Sequence, residues 1–381
     1  MSSQARQVCH SGAMAALRDG LSGGQSDGLS GGQSDGQSDG QRDVAALPKT
    51  HLHLHFTGSM RIDTLADLAR GHGLRLPDAL TQDWPPHLHA TDERGWFRFQ
   101  RLYDVARACV RGEVDMRRIV REAAEDDAAE GSRWLEIQVE PSSYAPYVGG
   151  ITPALEIVLD EAARASADTG TGVGVVVAAS RIRHPFDART LARLAVRYAG
   201  SGPGTVVGFG LSNDERRGAL VDFVPAFEIA RRGGLALVPH GGELLGPMSV
   251  VDTLAMFAPD RIGHGVRASE DAWALDRVAE SGVTLEVCPG SNVSLGVYPQ
   301  PEDVPLRTIV AAGIPVALGA DDPLLFGTRL ADQYTMARED LGFSDGELAE
   351  LARQSVTGSR APTEVRTDAL RDIDAWLSAA P

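Results

Sequence analysis

Four short stretches of the chain carry the residues with the most chemical reach: His51, His53 and His55 alternating in THLHLHFTGS, His240-Gly241-Gly242-Glu243, His264-Gly265, and Asp321-Asp322-Pro323. Imidazole nitrogen and carboxylate oxygen are the donors a zinc ion takes, and the same groups move protons near neutral pH. Residues at period two share one face of a strand. At about 3.3 Å per residue, His53 and His55 lie about 7 Å apart along the strand, close enough to share one ion. His51 lies about 13 Å from His55 and falls toward the opposite end. An isolated His-x-His is more simply a hydrogen-bonded core pair, and His87-Leu88-His89, set among Trp84, Pro85 and Pro86 with no strand before it, reads as a loop coincidence. The strand pair is not isolated. Three histidines and one aspartate at strand ends make a mixed nitrogen and oxygen site suited to zinc.

Such residues must be held at one end of a set of strands. Short apolar runs fall at Leu52–Phe56, Trp134–Val139, Gly174–Ala179, Thr205–Gly210, Leu235–Pro239, Arg261–Gly263, Val283–Val287 and Val316–Gly319. Helix-like segments lie between them, at Arg61–His72, Glu113–Glu130, Pro153–Ala167, Ala188–Ala199, Val221–Arg232, Glu270–Ser281 and Leu306–Ala312. Alternation of this kind predicts a parallel sheet with right-handed crossovers. Eight strands in one such series suit an α/β fold of the closed (β/α)8 TIM-barrel type, with chemistry at the carboxyl ends of its strands. Residues 73–112 predict a helical insertion after the first strand. One barrel domain is expected over residues 44–381. Residues 1–43, with the repeat LSGGQSDG, are expected to be a disordered leader, because Gly, Ser, Gln and Asp bury too little apolar surface.

The bulk properties exclude several partners. A net charge of -16 and the lack of a Lys/Arg cluster argue against nucleic acid. No apolar run approaches 18 residues, which argues against a membrane span, and no signal peptide is legible, so a cytoplasmic protein is expected. Cys9, Cys109 and Cys288 are scattered and predict no disulfide framework; Cys288 reads as a small apolar strand-end residue. Gly170, Gly172 and Gly174 precede a strand and so do not form a dinucleotide loop.

The stretches LPKTHLHLHFTGSMR, VVGFGLSNDE, HGGE, RIGHGVR, LEVCPGSNVSLGVYP and GADDPLLFGTRLADQY together resemble the adenosine deaminase family in content, order and spacing, over roughly residues 44–370. The resemblance implies one zinc per chain held by His53, His55, His240 and Asp321. It implies that Glu243 gives a proton to purine N1, that His264 orients and helps deprotonate the attacking water, and that Asp322 contacts the N7 side of a small purine nucleoside.

Departures from the family fall in the recognition residues. An acidic residue usually stands two positions after the second strand-one histidine, facing the ribose 5′-hydroxyl; here it is Thr57. The glycine that abuts the purine is Asn213, and a strand-two arginine is Gln138. Loss of the acid resembles members acting on aminodeoxyfutalosine, a 5′-extended adenosine of menaquinone biosynthesis. Arg98 or Arg101 would then meet the carboxylate of the extension, with Trp96, Phe97 or Phe99 packing on its ring. An ordinary adenosine deaminase is the alternative, and a catalytically inactive binding relative is a remote one, disfavoured by the intact Glu243 and His264. Lysine-bridged two-metal barrel hydrolases are excluded, because Lys49, the only lysine, precedes the first strand.

Overall fold

The computed structural model describes residues 41–380, and all of the expected leader except Gln41, Arg42 and Asp43 lies outside that range. The described chain forms eight strands: β1 Lys49–His55, β2 Ser132–Val139, β3 Gly172–Ser180, β4 Val206–Ser212, β5 Ala236–Gly241, β6 Arg261–His264, β7 Thr284–Val287 and β8 Val316–Leu318. Each pairs in parallel with the next in sequence. The ring closes where Asp321 N–H donates to the His53 carbonyl and His55 N–H to the Asp321 carbonyl, both at 3.0 Å. The architecture is the (β/α)8 barrel.

Helices wrap the outside because their apolar residues recur at helical spacing. The helix Glu113–Ala129 buries Met116, Ile119, Val120, Ala123 and Ala124, an i, i+3, i+4, i+7, i+8 stripe facing the sheet. The expected insertion between β1 and β2 contains a helix at Glu93–Ala108, started by Asp92, whose carboxylate accepts from Gly95 N–H at 2.6 Å. The sequence reading omitted the helix Pro247–Phe257 and three after β8, at Leu330–Glu339, Asp345–Gly358 and Thr363–Ser378. Of the expected leader, Arg42 is tied down: it donates to Asp345 and to the Trp376 carbonyl, both at 3.0 Å.

Inside the barrel the lowest layer is apolar: Leu52, Trp134, Val176, Val207 and Ala317. A Cβ on Gly172 or Gly174 would fall 2.5 or 2.7 Å from the Trp134 indole, so that glycine run makes room for a tryptophan. Lys49, fully buried at the start of β1, donates to the carbonyls of Val44 at 2.9 Å and Leu47 at 2.7 Å. Above the plug Arg261 joins two buried carboxylates, Glu286 at 2.6 Å and Glu136. His51 belongs to this structural tier: its Nδ1 donates to Asp127 at 2.9 Å and its Nε2 accepts from Ala320 N–H at 3.0 Å.

Candidate active site

The carboxyl ends of β1, β5, β6 and β8 bring the expected cluster together. His55 Nε2 lies 3.2 Å from Asp321 Oδ1, with His53 Nε2 at 3.6 Å from the same oxygen. His240 Nε2 is 3.2 Å from His55 Nε2. His264 Nε2 lies 3.8 Å from Glu243 Oε2 and 4.0 Å from Asp321 Oδ2. All except His55 are buried. Crowding this close requires empty space behind each ring. A Cβ at Gly263 would fall 2.8 Å from His53 Cε1 and 3.1 Å from His240 Nδ1, so glycine there is a packing necessity. The backbone is strained at the same place: His264, Asp321 and Asn213 have φ of 63°, 62° and 77°. Side chains other than glycine enter that region at a cost, and such residues gather at functional sites.

The lone pairs decide what the cluster fits. His53 Nδ1 bonds Glu286 at 2.8 Å, which leaves its Nε2 lone pair facing inward without a partner. Ser291 donates to the other oxygen of Asp321 at 2.7 Å. Ligands whose far atoms are held by hydrogen bonds in this way are oriented toward a cation. Three overlapping triads, His53 with His240 and His264, His53 with His55 and Asp321, and Glu243 with His264 and Asp321, each keep their donor atoms within 4.8 Å, which fits a divalent ion with mixed nitrogen and oxygen ligands.

Burial sets the protonation of the remaining groups. Burial, with Asp321 and Glu215 nearby, raises the Glu243 carboxyl well above its ordinary range. Burial and the Asp321 charge do the same to Asp322. Burial pulls His264 down to about 3, so its ring is neutral.

The pocket over the cluster is walled by Trp96, Phe99, Gln100, Tyr103 and Arg107 on one side and by Thr57, Gln138, Glu140, Tyr144 and Asn213 on the other. The first five recur along one face of the helix Glu93–Ala108. Arg98 and Arg101 do not join them. Both are exposed: they line a surface cleft with Trp84, Pro85 and His87, and Arg98 also lines a neighbouring cleft that shares Trp96, Gln100 and Asn213 with the pocket. Phe97 also points outward, at 62% exposure. The cation that does line the pocket is Arg107, stacked 4.9 Å from the Tyr103 ring. Thr57 does not open space, because its hydroxyl meets the Tyr144 hydroxyl at 2.5 Å.

Residues 48–376 match the family described as adenosine deaminase. The chain belongs to the adenosine deaminase family. A putative adenosine/adenine deaminase of Streptomyces virginiae is 64% identical over 88% of this chain and 98% of that one. An adenine deaminase of Rhizobium leguminosarum bv. trifolii is 33% identical over 84% of this chain and 97% of its own. Among solved structures, the adenine deaminase of Arthrobacter aurescens superposes with a TM-score of 0.80 at 27% identity, covering 88% of this chain and all of that one. Within this adenosine deaminase barrel, Glu286 and Ser291 behind the cluster and Tyr103, Arg107, Glu140 and Tyr144 around the mouth were missed from sequence. Glu286 and Glu136 had left a signal, each a carboxylate flanked on both sides by apolar residues of its strand, Leu285 and Val287 or Leu135 and Ile137.

Proposed function

We propose that this deaminase hydrolyses the 6-amino group of an adenine-type purine, releasing ammonia, with one zinc held by His53, His55, His240 and Asp321. The observation that carries this reading is that His55, His240 and Asp321 line one pocket with Glu243 and His264, with His53 Nε2 3.6 Å from Asp321 Oδ1. When bound, zinc lowers the pKa of water and so supplies a nucleophile at neutral pH. The protein groups move the protons. Glu243, kept neutral by burial, delivers its proton to N1, which makes C6 electrophilic enough for attack. Neutral His264 accepts a proton from the attacking water through Nε2. Asp322, also held neutral, donates to the N7 lone pair. Trp96 and Phe99 supply apolar surface for the purine face.

Free adenine or an unextended adenosine fits better than a 5′-extended one. The aminodeoxyfutalosine alternative needs room beyond Thr57 and a cation from Arg98 or Arg101. The Tyr144 hydroxyl meets Thr57 there, Arg101 lines another surface cleft, and Arg98 stands exposed outside the pocket lining. The relatives named for adenine support the same preference. A panel of adenine, adenosine and a bulky 5′-modified adenosine, followed by loss of adenine absorbance, tests the reading. Highest kcat/KM on the extended substrate would overturn the preference; no turnover of any would overturn the reaction.

A further inference from the structure

Glu215, in the loop after β4, has its carboxylate buried against the next strand's loop, residues 241–245. Its Oε1 accepts from Gly242 N–H at 2.5 Å, and its Oε2 from the N–H groups of Glu243, Leu244 and Leu245 at 3.1, 2.8 and 2.8 Å. The Ser249 hydroxyl, in the first turn of the helix Pro247–Phe257, donates to Oε1 as well. Successive N–H groups aimed at one side of a turn form a cradle for an anion. Here the anion is internal. Gly242, at φ 70°, supplies the left-handed step that rotates the peptide planes. With four amides of the turn committed to Glu215, the Glu243 side chain is directed to the opposite side, into the pocket beside His264.

We propose that Glu215 is the positioning residue for Glu243: it fixes the direction of the catalytic acid without touching substrate. The inference rests on the reading of Glu243 as that acid. Neutral ligands cannot replace the carboxylate, because a glutamine at 215 would set its NH2 against amide or hydroxyl donors. The turn would then rotate, and a misplacement of about 1 Å costs about a hundredfold in rate.

The test is a cycle of variants on the full-length, metal-loaded protein. Glu215→Gln is expected to lower kcat by about ten- to a hundredfold while KM moves less than about threefold and bound metal stays the same. In a Glu243→Gln background, where the acid is already gone, the same change should cost less than about twofold. Losses that multiply in the double variant would overturn the proposal, since a general structural defect adds to any other. Loss of metal in Glu215→Gln would also overturn it, assigning the effect to His240 instead. If Glu215→Gln does not fold, Ser249→Ala removes one of the five donors and decides the matter by the same cycle. A smaller fall in kcat, absent in the Glu243→Gln background, supports the proposal, and an unchanged kcat overturns it. Full activity in Glu243→Gln alone would instead sink the assignment of the acid.

Discussion

Two tiers of the barrel hold charged and polar side chains, and they differ in whether the nitrogens of their basic groups are met by protein partners. In the lower tier His51 uses both ring nitrogens, Arg261 bridges Glu136 and Glu286, and Lys49 is surrounded by carbonyls. In the upper tier His53 Nε2, His240 Nδ1, His264 Nδ1 and Asp322 Oδ1 are buried without partners. A buried polar atom costs free energy unless it is bonded, so a protein keeps bare ones where something else will meet them. Three histidines two residues apart on one strand show the division: His51 is structure, and His53 and His55 are chemistry. Glu286 joins the tiers, with one oxygen on Arg261 and the other on His53.

The comparison breaks most clearly if the upper tier proves indifferent to metal. Exhaustive chelation should abolish turnover, and elemental analysis of the native protein should give one zinc per chain; two metals, or activity that survives chelation, would contradict this. Next in size, Glu243→Gln should lower kcat by at least about a hundredfold while the protein folds and keeps its zinc. Its melting temperature should hold or rise, because a buried carboxyl becomes a neutral amide; a clear drop would move Glu243 to the structural tier. The raised pKa also gives a sign: activity that needs protonated Glu243 declines as pH rises through that value, above the usual glutamate range.

The lower tier should respond in the opposite way. Arg261→Met leaves the buried Glu136 and Glu286 carboxylates without their guanidinium counter-charge and should destabilise the fold by about 3–5 kcal/mol in denaturant unfolding. It should also weaken zinc about tenfold or more through Glu286 and His53, with turnover restored by added metal. Undiminished stability would erase the distinction between tiers. The smallest effect is expected at the amino end. Removing residues 1–40 should leave activity and melting temperature unchanged, because their composition buries little. Cutting through Asp43 removes the Arg42 bonds and should cost about 1–2 kcal/mol.

The His and Asp cluster was legible because each member sits at a strand end, and strands announce themselves in sequence by short apolar runs. Helical phase separates Arg98 and Arg101 from the residues that line the pocket. Counting from Trp96, the positions that share its face are 99, 100, 103 and 107, and neither arginine falls among them. Thr57 misled for another reason. A small residue implies space only if no other segment fills it, and Tyr144 arrives from the loop beyond β2. The left-handed backbone at His264 and Asp321 left no mark, since neither residue type requires it. Asn213 is different: asparagine tolerates that conformation better than most residues other than glycine, which fits its φ of 77°.

Lys49 has a consequence outside catalysis. The chain contains one lysine, and the barrel floor covers it completely. Reagents that couple to amines therefore find no lysine amine on the folded barrel, and that amine becomes available when β1 leaves the sheet. An adduct on Lys49, located by peptide mass, reports opening of the barrel itself.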